Sequence, residues 1–210
     1  MLIQPSDVIN ILNKYNIKVT GVLHVGAHEC EEMEFYKQLG LTPNDVTWLD
    51  AIPEKVEQAK RRGMPNVYQA LVTDKDDVIT KFNISNNVQS SSIFDLGTHK
   101  TAHPEVVYTA TMTVPSVTID TFCERNNINI TKNNFWNLDI QGAEFNALVG
   151  GEKCLQFAKV LYLEVNEDEL YKGCTLKPHL DYYLESQGFK CVMIAMCGNT
   201  GWGDAIYVRA

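Results

Sequence analysis

The chain has 210 residues, 45% apolar and 21% charged, proportions that exclude a disordered or fibrous protein. That length suits one domain burying roughly 70% of its unfolded surface. Eighteen basic against 26 acidic residues leave a net charge of −8, which argues against broad binding to nucleic-acid phosphates.

The longest near-apolar runs, at 159–165 and 191–196, are too short to cross a bilayer, and no charged-then-apolar leader opens the chain. The six cysteines form no CxxC pair. They read as reduced thiols, several of them core residues, so no zinc site and a cytoplasmic location are expected. Two N-x-S/T triplets, at Asn83 and Asn129, read as chance matches in that setting.

Residues 5–12 carry a helix entry signal and apolar positions at 8, 9, 11 and 12, which predicts a helix within an N-terminal extension, residues 1–20. A strand at 22–26 ends on Gly26 and leads into a helix at 29–39. A second strand, 46–50, precedes a helix over 53–60 with Pro53 in its first turn. A third strand spans 66–72. After an interruption come a strand at 136–140, a helix at 143–149 stopped by Gly150 and Gly151, a strand at 160–165 and a helix at 179–186. Two strands, 189–196 and 205–209, close the chain around a glycine-rich turn. Strands alternating with helices predict a mostly parallel sheet covered on both faces. The final pair, joined by loop alone, must be antiparallel and lie at one edge. Residues 74–118 break the rhythm and read as a hairpin-like insertion around a long Ser/His-rich loop, 89–103.

Ligands of open parallel sheets bind beyond the strands' carboxyl ends, where strand order reverses. Three strand ends therefore matter. Gly26 lets a ligand approach bare main chain. Asp50 can accept both hydroxyl hydrogens of a ribose, or else cap the following helix. Asp139, before the turn Gln141-Gly142, can hold an ammonium or take a proton, and it or Glu144 can cap the next helix. Glu164 is a carboxylate in an otherwise apolar strand, which places it in the same cleft. His99 and His103, four residues apart, would share a helical face and could bind metal, but Gly97 and Pro104 disfavour a long helix there.

At the turn His24–Glu29, the strand end Trp48–Pro53, the block Leu138-Asp139-Ile140-Gln141-Gly142-Ala143-Glu144-Phe145 and the run Leu163-Glu164-Val165, the chain resembles FkbM-type methyltransferases. The loop from Ser90 to His103 is similar as well, and the likeness covers roughly residues 20–208. It implies one methyltransferase domain, 1–210, with a three-layer Rossmann-like class I α/β fold. The sheet would have seven mostly parallel strands, the last antiparallel, and residues 74–118 would carry the acceptor loop. It also implies S-adenosylmethionine as cofactor and O-methylation of a sugar or other small polar acceptor. Gly26, Ala27, His28 and Glu29 would pass along the methionine part. Asp50 and Ala51 would hold the ribose, Ala70 and Leu71 would border adenine, and Asp139 would face the methionine amine or the acceptor. Ser91, Ser92, His99 and His103 would meet the acceptor; Asp139, Glu164, His99 and His103 are candidate bases, and the scheme requires no metal. Cys30 stands where many relatives carry a second glycine, so a positive φ there would force the turn to be rebuilt. The rival readings are a methyltransferase-like binding module without catalysis and a nicotinamide-dependent oxidoreductase.

Overall fold

The computed structural model describes residues 1–209. Pro5–Lys14 forms helix α1, whose first-turn proline lacks only an N–H that would go unpaired anyway. There follow β1 (Val22–Val25), α2 (Met33–Gln38), β2 (Val46–Asp50), α3 (Pro53–Arg61) and β3 (Val67–Gln69). After β4 (Leu71–Val72), the insertion contains β5 (Ile79–Ser85), the one-turn helix α4 (His99–Ala102) and β6 (Tyr108–Val117). Next come α5 (Ile119–Arg125), β7 (Phe135–Leu138), α6 (Glu144–Val149) and α7 (Glu152–Leu155). The chain closes with β8 (Val160–Asn166), α8 (Lys177–Ser186), β9 (Phe189–Met196) and β10 (Trp202–Arg209).

Seven strands form one sheet in the order β3-β2-β1-β7-β8-β10-β9. β10 runs antiparallel to both β8 and β9 and lies between them, while β1, β2, β3, β7 and β8 pair in parallel. This is the expected α/β Rossmann-like architecture, with strand order reversing at β1.

Period-two alternation explains the three layers. Leu23, Leu49, Trp136, Leu138, Leu161 and Leu163 face a core that takes in Ile119 and Phe122 of α5, Leu148 of α6 and Leu180 of α8. Val22, Trp48, Phe135 and Val160 face the opposite side, against Val8 of α1, Tyr36 of α2 and Val56 of α3. Each such side chain, fully withdrawn from water, contributes about 1.5–3 kcal/mol.

Three local departures from the sequence expectation have clear causes. The strand expected over 66–72 divides at Ala70, whose N–H donates to the Asp50 carbonyl at 2.9 Å. Beyond it the chain leaves the main sheet, and β4 pairs with β6 in a second, three-stranded sheet. α5 was not foreseen, although Thr118 caps it by accepting from the Thr121 N–H. α7 is capped from a distance: the Asp120 carboxylate accepts from the N–H groups of Lys153 and Cys154 at 3.1 and 2.9 Å.

The insertion is an antiparallel hairpin of β5 and β6, as expected. Its long connection is pinned over the carboxyl ends of the main strands. Gly97 N–H donates to the Leu170 carbonyl at 2.7 Å, and Leu96 packs with Leu170, Tyr171 and Cys174.

Candidate active site

The turn after β1 is built from main-chain bonds across three strands. The N–H groups of Gly26 and Ala27 both donate to the Leu49 carbonyl at 2.9 Å, and the Asp139 N–H donates to the Val25 carbonyl at 3.0 Å. Gly26 has φ of +92°, and a Cβ there would stand 1.9 Å from the Asp139 carbonyl oxygen. Only glycine meets both demands. Cys30 also lies in the left-handed region, with φ of +57°. The turn is therefore not rebuilt around the cysteine; it keeps the positive φ and bears a cost of about 1–2 kcal/mol for a residue with a Cβ. The thiol is buried, which pushes its pKa up to about 12.

Asp50, at the end of β2, ties this turn to the next helix. One carboxylate oxygen accepts from His28 N–H at 2.7 Å and the other from Ile52 N–H at 2.8 Å. The helix-capping and ligand-binding readings of this residue are thus compatible, since each oxygen has a further lone pair. Burial raises the Asp50 pKa, against the pull of those two amides.

Gly26, Asp50 and Asp139 surround one shared hollow. Ala51, Ile52, Ala70, Leu71 and Phe82 form the apolar wall of this hollow, a narrow slot about 70 Å³ in volume as a whole. Gly26, His28, Asp139 and Gln141 also border a wider polar cleft of about 400 Å³. His99, His103 and Glu164 line that second cleft, roofed by the insertion.

Glu164 and Asp139 are bridged by Gln141, whose amide donates to Glu164 at 2.6 Å and to Asp139 at 2.7 Å. Tyr171 donates its hydroxyl proton to the Gln141 side-chain oxygen. Burial, with Asp139 close by, raises the Glu164 pKa well above the carboxylate range. Glu144 is the capping residue: its Oε1 accepts from the N–H groups of Ile140 and Gly142 at 2.8 and 3.3 Å. Its burial lifts it to about 8.

Several residues expected in the site stand elsewhere. Glu29 lines neither cleft, because Lys55 at 3.0 Å and Arg62 at 3.5 Å draw its carboxylate outward. Ala27 turns its side chain into the core and lines neither cleft. Ser91 lies on the narrow slot, not the wide cleft, and donates to the Val88 carbonyl at 2.5 Å. Ser92 is buried and spends its hydroxyl proton on the Gln141 carbonyl at 2.7 Å. His99 and His103 do share α4 and its cap, with ring centroids 5.1 Å apart.

Not foreseen were Glu31, Glu32, Tyr162, Trp202 and Asp204, all lining the wide cleft. A further unforeseen group is a buried chain behind Gly26. Asn137 donates its amide to the Tyr36 hydroxyl at 2.9 Å, and that hydroxyl lies 2.9 Å from His24 Nδ1. With the hydroxyl oxygen accepting from Asn137, its proton goes to His24, which burial keeps neutral by lowering its pKa to about 4.

These shifts set the pH response of stability. Glu144 near 8 and Glu32 near 7, with Glu164 and Asp204 also raised, contribute stability that is lost as pH rises through their folded values. His24 acts in the opposite sense, its contribution complete above 6.5 and lost as pH falls toward 4. Between pH 6.5 and 8 only the carboxyl effect remains. Calorimetric scans of the unliganded protein should show Tm dropping by about 4–8 °C over that interval, for a loss of ~2 kcal/mol. A flat or rising Tm there contradicts the protonated cluster.

The model of the family described as "Methyltransferase FkbM domain" matches residues 24–191. Among solved structures, the magnesium protoporphyrin IX methyltransferase of Synechocystis PCC 6803 with bound SAM superposes with a TM-score of 0.50 at 12% identity. That alignment covers 98% of this chain and 78% of the other. CalS10 from Micromonospora echinaspora, described as an amino pentose methyltransferase, gives a TM-score of 0.48 at 12% identity, covering 98% and 90% of the two chains. No curated protein matches in sequence. With the family model spanning most of the chain, this protein belongs to the FkbM methyltransferase family.

Proposed function

We propose that this chain binds S-adenosylmethionine across Gly26 and Asp50 and methylates a hydroxyl of a sugar or another small polar acceptor in the wide cleft. The observation that carries this reading is the single hollow shared by Gly26, Asp50 and Asp139. Its parts suit the donor: an apolar slot for adenine beside Leu71, an acid for the ribose, and main chain without a side chain at Gly26. S-adenosylmethionine supplies, when bound, a sulfonium methyl group open to in-line attack by oxygen.

Among the candidate bases, the neighbours single out His99. His103 Nε2 accepts from the Trp202 indole at 3.2 Å, leaving its proton on Nδ1, toward Glu105 at 3.7 Å. Asp139 and Glu164 are joined through the Gln141 amide, which donates to both. His99 lines the cleft with its Nε2 engaged in no hydrogen bond among the described residues, while its Nδ1 is closed off from solvent. Burial first, and His103 second, lower its pKa, so the ring is neutral at pH 7 and free to accept a hydroxyl proton. That proton leaves the acceptor oxygen as the new carbon–oxygen bond forms and the carbon–sulfur bond breaks.

A thermal-shift comparison tests the donor: S-adenosylmethionine and S-adenosylhomocysteine should raise Tm, and NAD should not. Indifference to all three favours the binding-module reading. For the base, His99→Gln should lower kcat by ~10²–10⁴ while donor affinity is retained. The wild type should also show an acid limb with its midpoint below 6.5, absent from the variant. An unchanged pH profile removes His99 from the reaction.

A further inference from the structure

Among the described residues, eight besides glycine have their backbone in the left-handed region. Four are Asn16, Asn66, Asp77 and Asn127, types that tolerate that conformation. The other four are His28, Cys30, Val88 and Gln141, and all but Cys30 line the narrow slot beside Gly26 and Asp50. Val88, with φ of +65°, is the one β-branched residue of the eight, and for that shape the conformation is a genuine outlier. Such strain persists only where the surroundings impose it. Here they do. Val88 lies in the connection between β5 and α4, and its N–H donates to the Ser85 carbonyl at 3.0 Å. Its own carbonyl accepts from the Ser91 N–H at 3.1 Å and from the Ser91 hydroxyl at 2.5 Å. Asn87 completes the frame, accepting from the Ser85 hydroxyl at 2.7 Å and from the Ser90 N–H at 3.1 Å.

A turn that needs only the left-handed backbone is served by asparagine, as at residues 16, 66 and 127. Valine adds something else, an apolar side chain in the slot. With Ile93 it packs against the cluster of Ile52, Leu71 and Phe82, and all five line the slot. Ile52 and Leu71 follow β2 and β3 in the chain, whereas Phe82, Val88 and Ile93 belong to the insertion. The insertion, expected to serve the acceptor, thus supplies part of the slot's apolar lining, the surroundings that favour withdrawing a flat purine from water.

Resting on the placement of the donor argued above, we propose that Val88 is a further donor-binding residue. Its side chain presses on the adenine ring from the insertion side, and the strained backbone is what brings it there. The hairpin read as carrying the acceptor loop then also grips the nucleoside. Gln89, the next residue, borders both the slot and the wide cleft, so this one turn carries the chain from donor to acceptor.

The test is calorimetric titration of the full chain with S-adenosylhomocysteine and with 5′-methylthioadenosine, which keeps the adenine and ribose but lacks the amino-acid end. Val88→Gly and Val88→Asn both suit the left-handed backbone, so the loop keeps its shape while the apolar contact is lost. Each should weaken both ligands by the same factor, about tenfold, as expected for the loss of one or two buried methyl contacts. The unliganded Tm should stay within about 4 °C of wild type, because relief of the backbone offsets the lost packing. A valine that only packs the loop would give the reverse, a lower Tm with unchanged affinity, and affinities within about twofold of wild type overturn the proposal. So does weakening by glycine alone, which would trace the effect to loop rigidity. Weakening of S-adenosylhomocysteine alone overturns it too, since the contact would then lie away from the base. If the wild type binds neither ligand, the placement of the donor itself fails, and this inference with it.

Discussion

Gly26→Ala should abolish measurable donor binding and lower Tm by more than about 4 °C, an effect of at least ~2 kcal/mol. The added methyl would lie 1.9 Å from the Asp139 carbonyl oxygen, far inside contact distance. Relief is blocked on both sides, since the Gly26 N–H is held by Leu49 and the Asp139 N–H by Val25. The positive φ adds a further ~1–2 kcal/mol for any residue with a Cβ. Gly63→Ala is the control. It shares the left-handed backbone, with φ of +81°, but a Cβ there would meet only open space. It should therefore show a comparable φ penalty and unchanged donor affinity. Calorimetric titration with S-adenosylhomocysteine separates the two, and wild-type affinity in Gly26→Ala would falsify the assignment of this turn to the donor.

Asp50→Ala should weaken the donor by about 100-fold or more. Hydrogen bonds to a charged group contribute ~1.5–3 kcal/mol each, and two ribose hydroxyls converge on this carboxylate in the proposed complex. The same substitution also frees the N–H groups of His28 and Ile52, so part of the loss comes through the turn. Asp50→Asn distinguishes the contributions. Its amide oxygen can accept from one of those N–H groups, so it should restore more of the Tm than of the affinity. Titration of both variants provides the measurement, and an affinity within about twofold of wild type in Asp50→Ala removes this residue from the site.

The parts of the fold legible in sequence are those whose burial is decided locally. Val22–Val25, Val46–Asp50 and Val160–Asn166 are buried along their whole length, and their apolar runs betray them without knowledge of any partner. Gly26 and Asp50 were legible because parallel strands offer ligands only their carboxyl ends. Asp204 was not. Its strand reads as an edge hairpin, and only the insertion of β10 beside β8 brings it opposite Glu164. Tyr36 and Asn137 meet across 101 residues of sequence, a contact with no local signal. Glu29 misled for the complementary reason: Lys55 and Arg62 approach it from α3 and the residue just after it, and their pull is invisible in the turn's own sequence.

The position of β10 also governs how the molecule can be made. On a ribosome, residues 160–196 emerge first, and β8 and β9 then each present an unsatisfied edge, because the strand that joins them has not yet been synthesised. Sheet closure waits for residues 202–209, after which Arg209 clasps the carbonyls of Leu155, Ala158 and Gln187 at 2.6–2.8 Å. Nascent chains stalled before that point expose hydrogen-bonding edges to one another and should be the species that aggregates or recruits chaperones.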